Sequence, residues 1–363
     1  MNGPRSAVLI SSRVNCHYLS GFTGSNGYLL VAESRAVIFT DFRYLEQAKN
    51  ECPGFEVVQI SGGYEPLAKV VTDMSLECVS FESLHTSYAH HQRIRSALTD
   101  RIFLNPAEGA VERLRSTKDE TEIELLEAAV NLADSAMEQA LQSVHTGVTE
   151  IEIAKVIEAC LRELGADAVA FDTIVGAGAN GAMPHHRADQ TLIKKGDPVV
   201  IDMGALFKGY RSDLTRTVLA DPSGKDNEKF EEIYGIVLES QLAAEKAAEP
   251  GMKAADLDKI SRGVIKKSGY GTYFGHGLGH GVGLDIHERP MVVPSSSDVI
   301  EVGSVFTIEP GIYLPDWGGV RIEDVLLMEE SGPRVLTKSP KYGRSDTPVS
   351  ELEQAECNLY MGS

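Results

Sequence analysis

The feature that most constrains this chain is a pair of apolar stretches about a hundred residues apart, each carrying two acids. Val199 to Val218 reads as two β-branched, aliphatic runs around Phe207-Lys208-Gly209, where glycine permits a tight reversal. The pattern predicts a β-hairpin folded about Lys208, with Asp202 and Asp213 roughly opposite one another. Thr307 to Tyr313 runs into the turn Pro315-Asp316-Trp317-Gly318 and returns through Val320 to Val325, which places Glu309 and Glu323 symmetrically about that turn. Taken singly, each acid would be an ordinary solvated strand residue or half of an ion pair. Strands this apolar are buried on at least one face, where an ionised carboxylate costs several kcal/mol unless it is paired or metal-bound.

Between the hairpins lies His276-Gly277-Leu278-Gly279-His280-Gly281-Val282-Gly283, too rich in glycine for a stable helix and supplied with imidazole. Four carboxylates and a histidine make an oxygen-rich donor set with one nitrogen. Such a set suits two hard-to-borderline divalent ions, manganese, cobalt or zinc, bridged by shared carboxylates.

These stretches resemble the pita-bread metallopeptidases, in particular the branch of Xaa-Pro aminopeptidases and prolidases. The resemblance rests on the spacing of Asp202 and Asp213, on H-G-L-G-H-G-V-G-L-D-I-H-E from His276 to Glu288, on I-E-P-G-I-Y from Ile308 to Tyr313, and on R-I-E-D from Arg321 to Asp324. It implies an α+β fold: a pita-bread catalytic domain over residues 113–346, preceded by an α/β creatinase-like domain over 1–112 and followed by a short acidic tail, 347–363. It further implies that Asp202, Asp213, His280, Glu309 and Glu323 are the metal ligands, with Asp213 and Glu323 bridging. Manganese is the first expectation for the two ions, with cobalt and zinc also compatible. Family members place a proline-histidine pair seventeen residues before the first metal aspartate, a spacing met by Pro184-His185; His186 is the neighbouring alternative. His287, seven residues after His280, matches the family's other substrate-side histidine, while His276 and Arg321 are read as orienting the ligands. Glu309 is the expected proton acceptor.

The implied reaction is hydrolysis of the peptide bond before proline, with release of the residue in front of it, as an Xaa-Pro aminopeptidase. The alternative is an Xaa-Pro dipeptidase, which must also engage the proline carboxylate with a basic group. Met291 stands where many prolidase-like relatives have arginine, which favours the aminopeptidase unless Arg289 or Arg321 substitutes. A methionine aminopeptidase would lack the amino-terminal domain, and a metal-free or creatinase-like relative would have lost ligands that this chain keeps. A homodimer acting on peptides with proline second is expected from the resemblance.

With 363 residues and 42% hydrophobic content the chain can bury two cores. A formal charge of −19 opposes nucleic acid and anionic membranes as partners. Five cysteines without close spacing point to reduced thiols and a cytoplasmic setting. Ala7 to Ile10 is too short an apolar run for a signal peptide or a membrane span.

Up to about residue 112, strand-like runs (7–10, 28–31, 36–40, 55–60, 77–81) alternate with helix-like ones (45–50, 65–72, 88–98), predicting a sheet with covering helices. His17, His85, His90 and His91 read as ordinary histidines. Beyond a boundary near 114–118, a long helix through Val144 is predicted with Thr117 as N-cap and Glu120 as its capping-box partner. A second helix starts at Thr149 and Glu152 and stops before Gly165; two more follow, bracketed by Asp226 and Gly251 and spanning 254–269. The glycine-rich run 176–182 opens no helix and is therefore no phosphate cradle. The paired hairpins suggest halves related by a pseudo-twofold.

Overall fold

The computed structural model describes residues 5–222 and 227–341; the expected tail and Cys357 lie outside them, as does Asp226. The chain divides between Arg115 and Ser116 into two compact units.

In the amino-terminal unit, period-two alternation does most of the work. Leu9, Leu30, Val37, Phe39 and Val79 point to one face and pack with Leu67, Val71 and Ile94, while Ile10, Leu29 and Ile38 point to the other, with Cys16, Ala48 and Cys52. Helices cover both faces, and the sheet lies between two cores. Its strand order is Glu56–Gln59, Ala36–Thr40, Gly27–Ala32, Ser6–Ile10, Cys78–Glu82, Phe103–Ala107. The three central strands pair antiparallel and the outer pairings are parallel. Two helices, Arg13–Ser20 and Ala110–Arg115, and the edge strand Phe103–Ala107 supplement the elements expected from sequence.

The larger unit is built in two halves. Helices Glu120–Gln142 and Glu150–Glu163 close a core over the strands Ile174–Ala177, Pro198–Met203 and Leu214–Leu219. Helices Asn227–Ala247 and Ala254–Lys267 close another over a five-stranded sheet that includes Gly279–Gly281, Val305–Ile308 and Asp324–Glu329. Each half thus buries one acid-bearing hairpin beneath its own helix pair. The helix Glu150–Glu163 starts on the expected Thr149/Glu152 capping box.

The first long helix begins later than the sequence suggests. Asp119, not Thr117, is its N-cap: the Asp119 carboxylate accepts from the Glu122 N–H at 2.9 Å and Glu122 accepts from the Asp119 N–H at 3.1 Å. Thr117 is occupied elsewhere. It pairs as an isolated bridge with Ser304, and the Lys118 N–H donates to the Gly303 carbonyl, so both residues are held extended. The helix also ends at Gln142, short of Val144.

The first hairpin differs in register from the expectation. Its turn has two residues, Lys208 and Gly209, both with positive φ (48° and 90°), a requirement of the tight turns that match strand twist. Asp202 therefore faces Thr215, and Leu214 faces Met203. Asp213 falls one position before its strand, two residues short of Asp202's partner, which keeps both carboxyls on one face but diagonal to each other. The ladder also breaks at Gly204, where a Cβ would come within 2.0 Å of the Ser212 carbonyl oxygen.

The second hairpin keeps the predicted symmetry, with Ile308 facing Asp324 and Gly311 facing Arg321 on either side of the two glutamates. Glu309 and Glu323 themselves leave the ladder. The Glu309 N–H donates to the Leu278 carbonyl at 2.8 Å and the Glu323 N–H to the Thr215 carbonyl at 3.1 Å. These two bonds tie the second hairpin to the histidine loop and to the first hairpin.

Candidate active site

Asp202, Asp213, His280, Glu309 and Glu323 line a single open cleft of about 460 Å³, together with His185, His276, His287, Met291 and Arg321. The nitrogen donor is fixed by backbone. His280 sits in the short strand Gly279–Gly281, its N–H donating to Thr307 Oγ1 at 3.1 Å and its Nδ1 donating to the Gly281 carbonyl at 3.1 Å. Glycine is required at 279, because a Cβ there would lie 2.1 Å from the Thr307 carbonyl oxygen. With Nδ1 spent, Nε2 faces Glu309 Oε1 at 3.2 Å and Asp213 Oδ2 at 3.6 Å.

The carboxyls are crowded and short of donors. Burial, then the charges of Glu323, Asp202 and Glu309, push Asp213 well above the usual carboxylate range. Burial and the charges of Glu309 and Asp202 push Glu323 up in the same way. Burial also raises Asp202, against the pull of Arg321. Glu309 is the exception: burial would raise it, but the hydrogen bond and charge of His280 hold it at about 2.

Asp202 Oδ1 is buried and has no hydrogen-bond partner. A ring nitrogen of His280 facing two carboxylate oxygens, and a buried carboxylate oxygen with no donor, are the arrangement that bound cations complete. Four carboxylates and one imidazole fit two divalent cations of the hard-to-borderline kind.

Arg321 is the organising cation. Its NH2 donates to Asp202 Oδ2 at 2.6 Å, its NH1 to the Tyr313 hydroxyl at 2.8 Å and its Nε to Thr215 Oγ1 at 3.1 Å. Thr215 in turn donates to Glu323 Oε2 at 2.7 Å, so one guanidinium orients an acid from each hairpin. Tyr313 lies 2.8 Å from His276 Nε2, and His276 Nδ1 donates to the Gly277 carbonyl at 2.8 Å. Burial pushes the Tyr313 hydroxyl up to about 12 and pushes His276 down, so a neutral tyrosine donates to a neutral imidazole. Beneath this layer, fully buried Arg216 donates to the Thr215 and Glu323 carbonyls at 2.9 and 2.6 Å and pairs with Asp324 at 2.7 Å.

On the open side, His287 packs edge-on against His280 with ring centroids 4.3 Å apart. Burial and the neighbouring His280 charge lower its pKa, favouring the neutral ring. Of the two adjacent histidines, His185 lines the cleft, whereas His186 is turned away, its Nε2 2.7 Å from Glu150 Oε2. Glu150 is fully buried and also accepts from the Ala177 and Asp189 N–H groups and from Asn180 Nδ2, at 2.8, 3.2 and 3.0 Å. It thereby anchors the segment that carries His185.

Comparison with known proteins decides the family. Residues 124–330 match Metallopeptidase family M24, and residues 5–117 match the Creatinase/Prolidase N-terminal domain. The chain belongs to metallopeptidase family M24. An Xaa-Pro dipeptidase of Pyrococcus furiosus is 40% identical over 92% of this chain and 94% of that one. Among solved structures, an Xaa-Pro dipeptidase from Bacillus anthracis superposes with a TM-score of 0.88 at 40% identity, covering 93% of this chain and 94% of the other. An X-Pro aminopeptidase from Thermotoga maritima superposes with a TM-score of 0.84 at 38% identity, covering 92% and 96%.

As an M24 member the chain is a metallopeptidase of α+β architecture, a creatinase-type amino-terminal domain followed by the pita-bread domain. The family's chemistry depends on two metal ions. No helix among the described residues is long and apolar enough to cross a membrane.

Sequence reasoning did not single out Thr215, Thr307, Tyr313, Glu150 or Arg187. Tyr313 was visible as the last residue of I-E-P-G-I-Y, and Thr215 as the next residue on the same strand face as Asp213. Glu150 carried no signal beyond its place in a capping motif.

Proposed function

We propose that this chain hydrolyses the peptide bond preceding proline and acts as an Xaa-Pro dipeptidase. The observation that carries the reading is the convergence in one cleft of a two-metal donor set with His185 and His287, in a chain 40% identical over nearly its whole length to an Xaa-Pro dipeptidase.

Asp202, Asp213, His280, Glu309 and Glu323 would hold the two cations, with manganese as the first choice over cobalt or zinc. When bound, the cations supply positive charge for a developing oxyanion and acidify water near neutral pH. Glu309, kept ionised beside His280, accepts the proton of the attacking water and returns it to the prolyl nitrogen. His185 and His287 donate to the oxyanion from the open side, His287 through the N–H of a ring that burial keeps neutral. The prolyl nitrogen is a tertiary amide with no hydrogen. Recognition therefore falls on the ring and on the carboxylate beyond it.

The dipeptidase replaces the aminopeptidase reading that Met291 suggested, because the similarity to Xaa-Pro dipeptidases spans over nine-tenths of both chains. The aminopeptidase stays as the second reading, supported by Met291 in the cleft and by the likeness to the Thermotoga protein. Hydrolysis of Ala-Pro and Ala-Pro-Ala, with added manganese and after chelation, tests both. Chelator-sensitive cleavage of Ala-Pro alone is expected; cleavage of Ala-Pro-Ala in preference would establish the aminopeptidase. The family likeness also leads us to expect a homodimer, which sedimentation of the purified protein checks.

A further inference from the structure

A dipeptidase must bind a carboxylate at the far end of a cleft whose floor carries four carboxyls, in a protein of formal charge −19. Coulomb repulsion opposes that unless a cation stands at the binding position. The two arginines expected to supply it are committed elsewhere. Arg289 pairs with Asp298 and does not line the cleft, and all three nitrogen positions of Arg321 are taken by Asp202, Tyr313 and Thr215. Met291 offers no charge.

Among the described residues lining the cleft, one other lysine or arginine is present: Arg187. Its guanidinium reaches Asp172 Oδ2 at 3.0 Å, with the two side chains 86% and 76% exposed. An ion pair so solvated contributes little and exchanges readily for another carboxylate. Its backbone, in contrast, is well fixed. Glu150 accepts from His186 on one side of Arg187 and from the Asp189 N–H on the other. His185, two residues earlier, faces the same cleft.

We infer that Arg187 is the specificity-determining residue that receives the substrate's terminal carboxylate, exchanging Asp172 for it when an Xaa-Pro dipeptide enters. This rests on the dipeptidase reading above. The planar guanidinium suits two-point contact with a carboxylate, which lysine cannot reproduce. The basic function that Met291 lacks is thereby supplied from a different loop of the same cleft.

The test compares Ala-Pro with its amide, Ala-Pro-NH2, on the manganese-loaded wild-type protein and on Arg187→Ala and Arg187→Lys. Wild type should prefer the free carboxylate. Arg187→Ala should raise KM for Ala-Pro by about 10- to 100-fold with kcat nearly unchanged, while kcat/KM for the amide stays within about twofold. Arg187→Lys should recover part of the loss. A merely structural role would lower both substrates together, and that result overturns the inference, as does an unchanged ratio of the two substrates in Arg187→Ala. Wild-type cleavage of both compounds without preference overturns the inference but keeps the proline-peptidase reading. Cleavage of neither removes that reading, and the inference with it.

Discussion

Glu150, His186 and Asp189 on one side, and Asp213, His280 and Glu323 on the other, each bring two carboxyls and an imidazole within 4.8 Å of one another. In the first group the protein supplies the donors: Glu150 takes four hydrogen bonds from backbone and side chains, and the imidazole is one of them. In the second, Glu323 has a hydroxyl from Thr215, Asp213 has the His280 ring at 3.6 Å, and burial with mutual repulsion drives both carboxyls up. Composition alone does not separate a structural cluster from a metal site. What separates them is whether the surrounding chain completes the donors or leaves acceptors facing acceptors.

The comparison breaks first at Asp213. Asp213→Asn should reduce peptidase activity to background, and yet it should stabilise the metal-free protein. In wild type the folded state holds Asp213 and Glu323 protonated above the range where the unfolded chain releases those protons. Stability of the metal-free form is therefore full below about pH 4 and declines as pH rises toward the folded-state values. Thermal melts of chelated protein from pH 4 to 8 should show that decline, and Asp213→Asn should flatten it. A wild-type melt that rises with pH over this window contradicts the assignment.

Glu150→Ala probes the other cluster. It strands the half-buried His186 ring and three further donors, so a loss of about 3–5 kcal/mol is expected, equal with and without manganese. A loss that appears only in the metal-loaded protein would make this cluster a metal site as well.

Tyr313→Phe sharpens the account of the orienting layer. It removes the group that Arg321 and His276 share, and should cost about 1–2 kcal/mol of transition-state stabilisation, seen as a fall in kcat of roughly tenfold, with a stability loss of about 1–3 kcal/mol from the stranded Arg321 donor.

The smallest effect belongs to the third cluster, Glu82, His85 and Glu112, in the amino-terminal unit. Glu82 already accepts from the Ser11 and Ser12 N–H groups and from Asn15, and the His85 side chain is 37% exposed. His85→Gln should shift stability by less than about 1 kcal/mol, without dependence on added metal.

The sequence made the two hairpins and the histidine loop legible because period-two runs, turn glycines and misplaced acids are local signals. It did not make the register of the first hairpin legible: whether Lys208-Gly209 or Phe207-Lys208-Gly209 forms the turn depends on positive φ at two residues, and the choice moves Asp202's partner by one position, to Thr215, two residues beyond Asp213. The start of the first long helix was misplaced for a similar reason. A residue distant in sequence, Ser304, takes Thr117 out of contention through an isolated bridge, and no local pattern announces it. In the amino-terminal unit, Phe103–Ala107 escaped notice because Asn105 and Pro106 dilute a strand that sits at a sheet edge. The orienting layer was partly readable. Arg321 and His276 stood out in motifs and Tyr313 ends one, whereas Thr215 acquires meaning only once two hairpins distant in sequence lie side by side.

The central claim is that Asp202, Asp213, His280, Glu309 and Glu323 form a two-cation centre. Metal content of the purified, manganese-equilibrated protein, set against the Asp213→Asn variant, tests it most directly. Two tightly held divalent ions per chain in wild type, and fewer than two in the variant, are predicted. Full peptidase activity in wild-type protein that retains less than one ion per chain after chelation would contradict it.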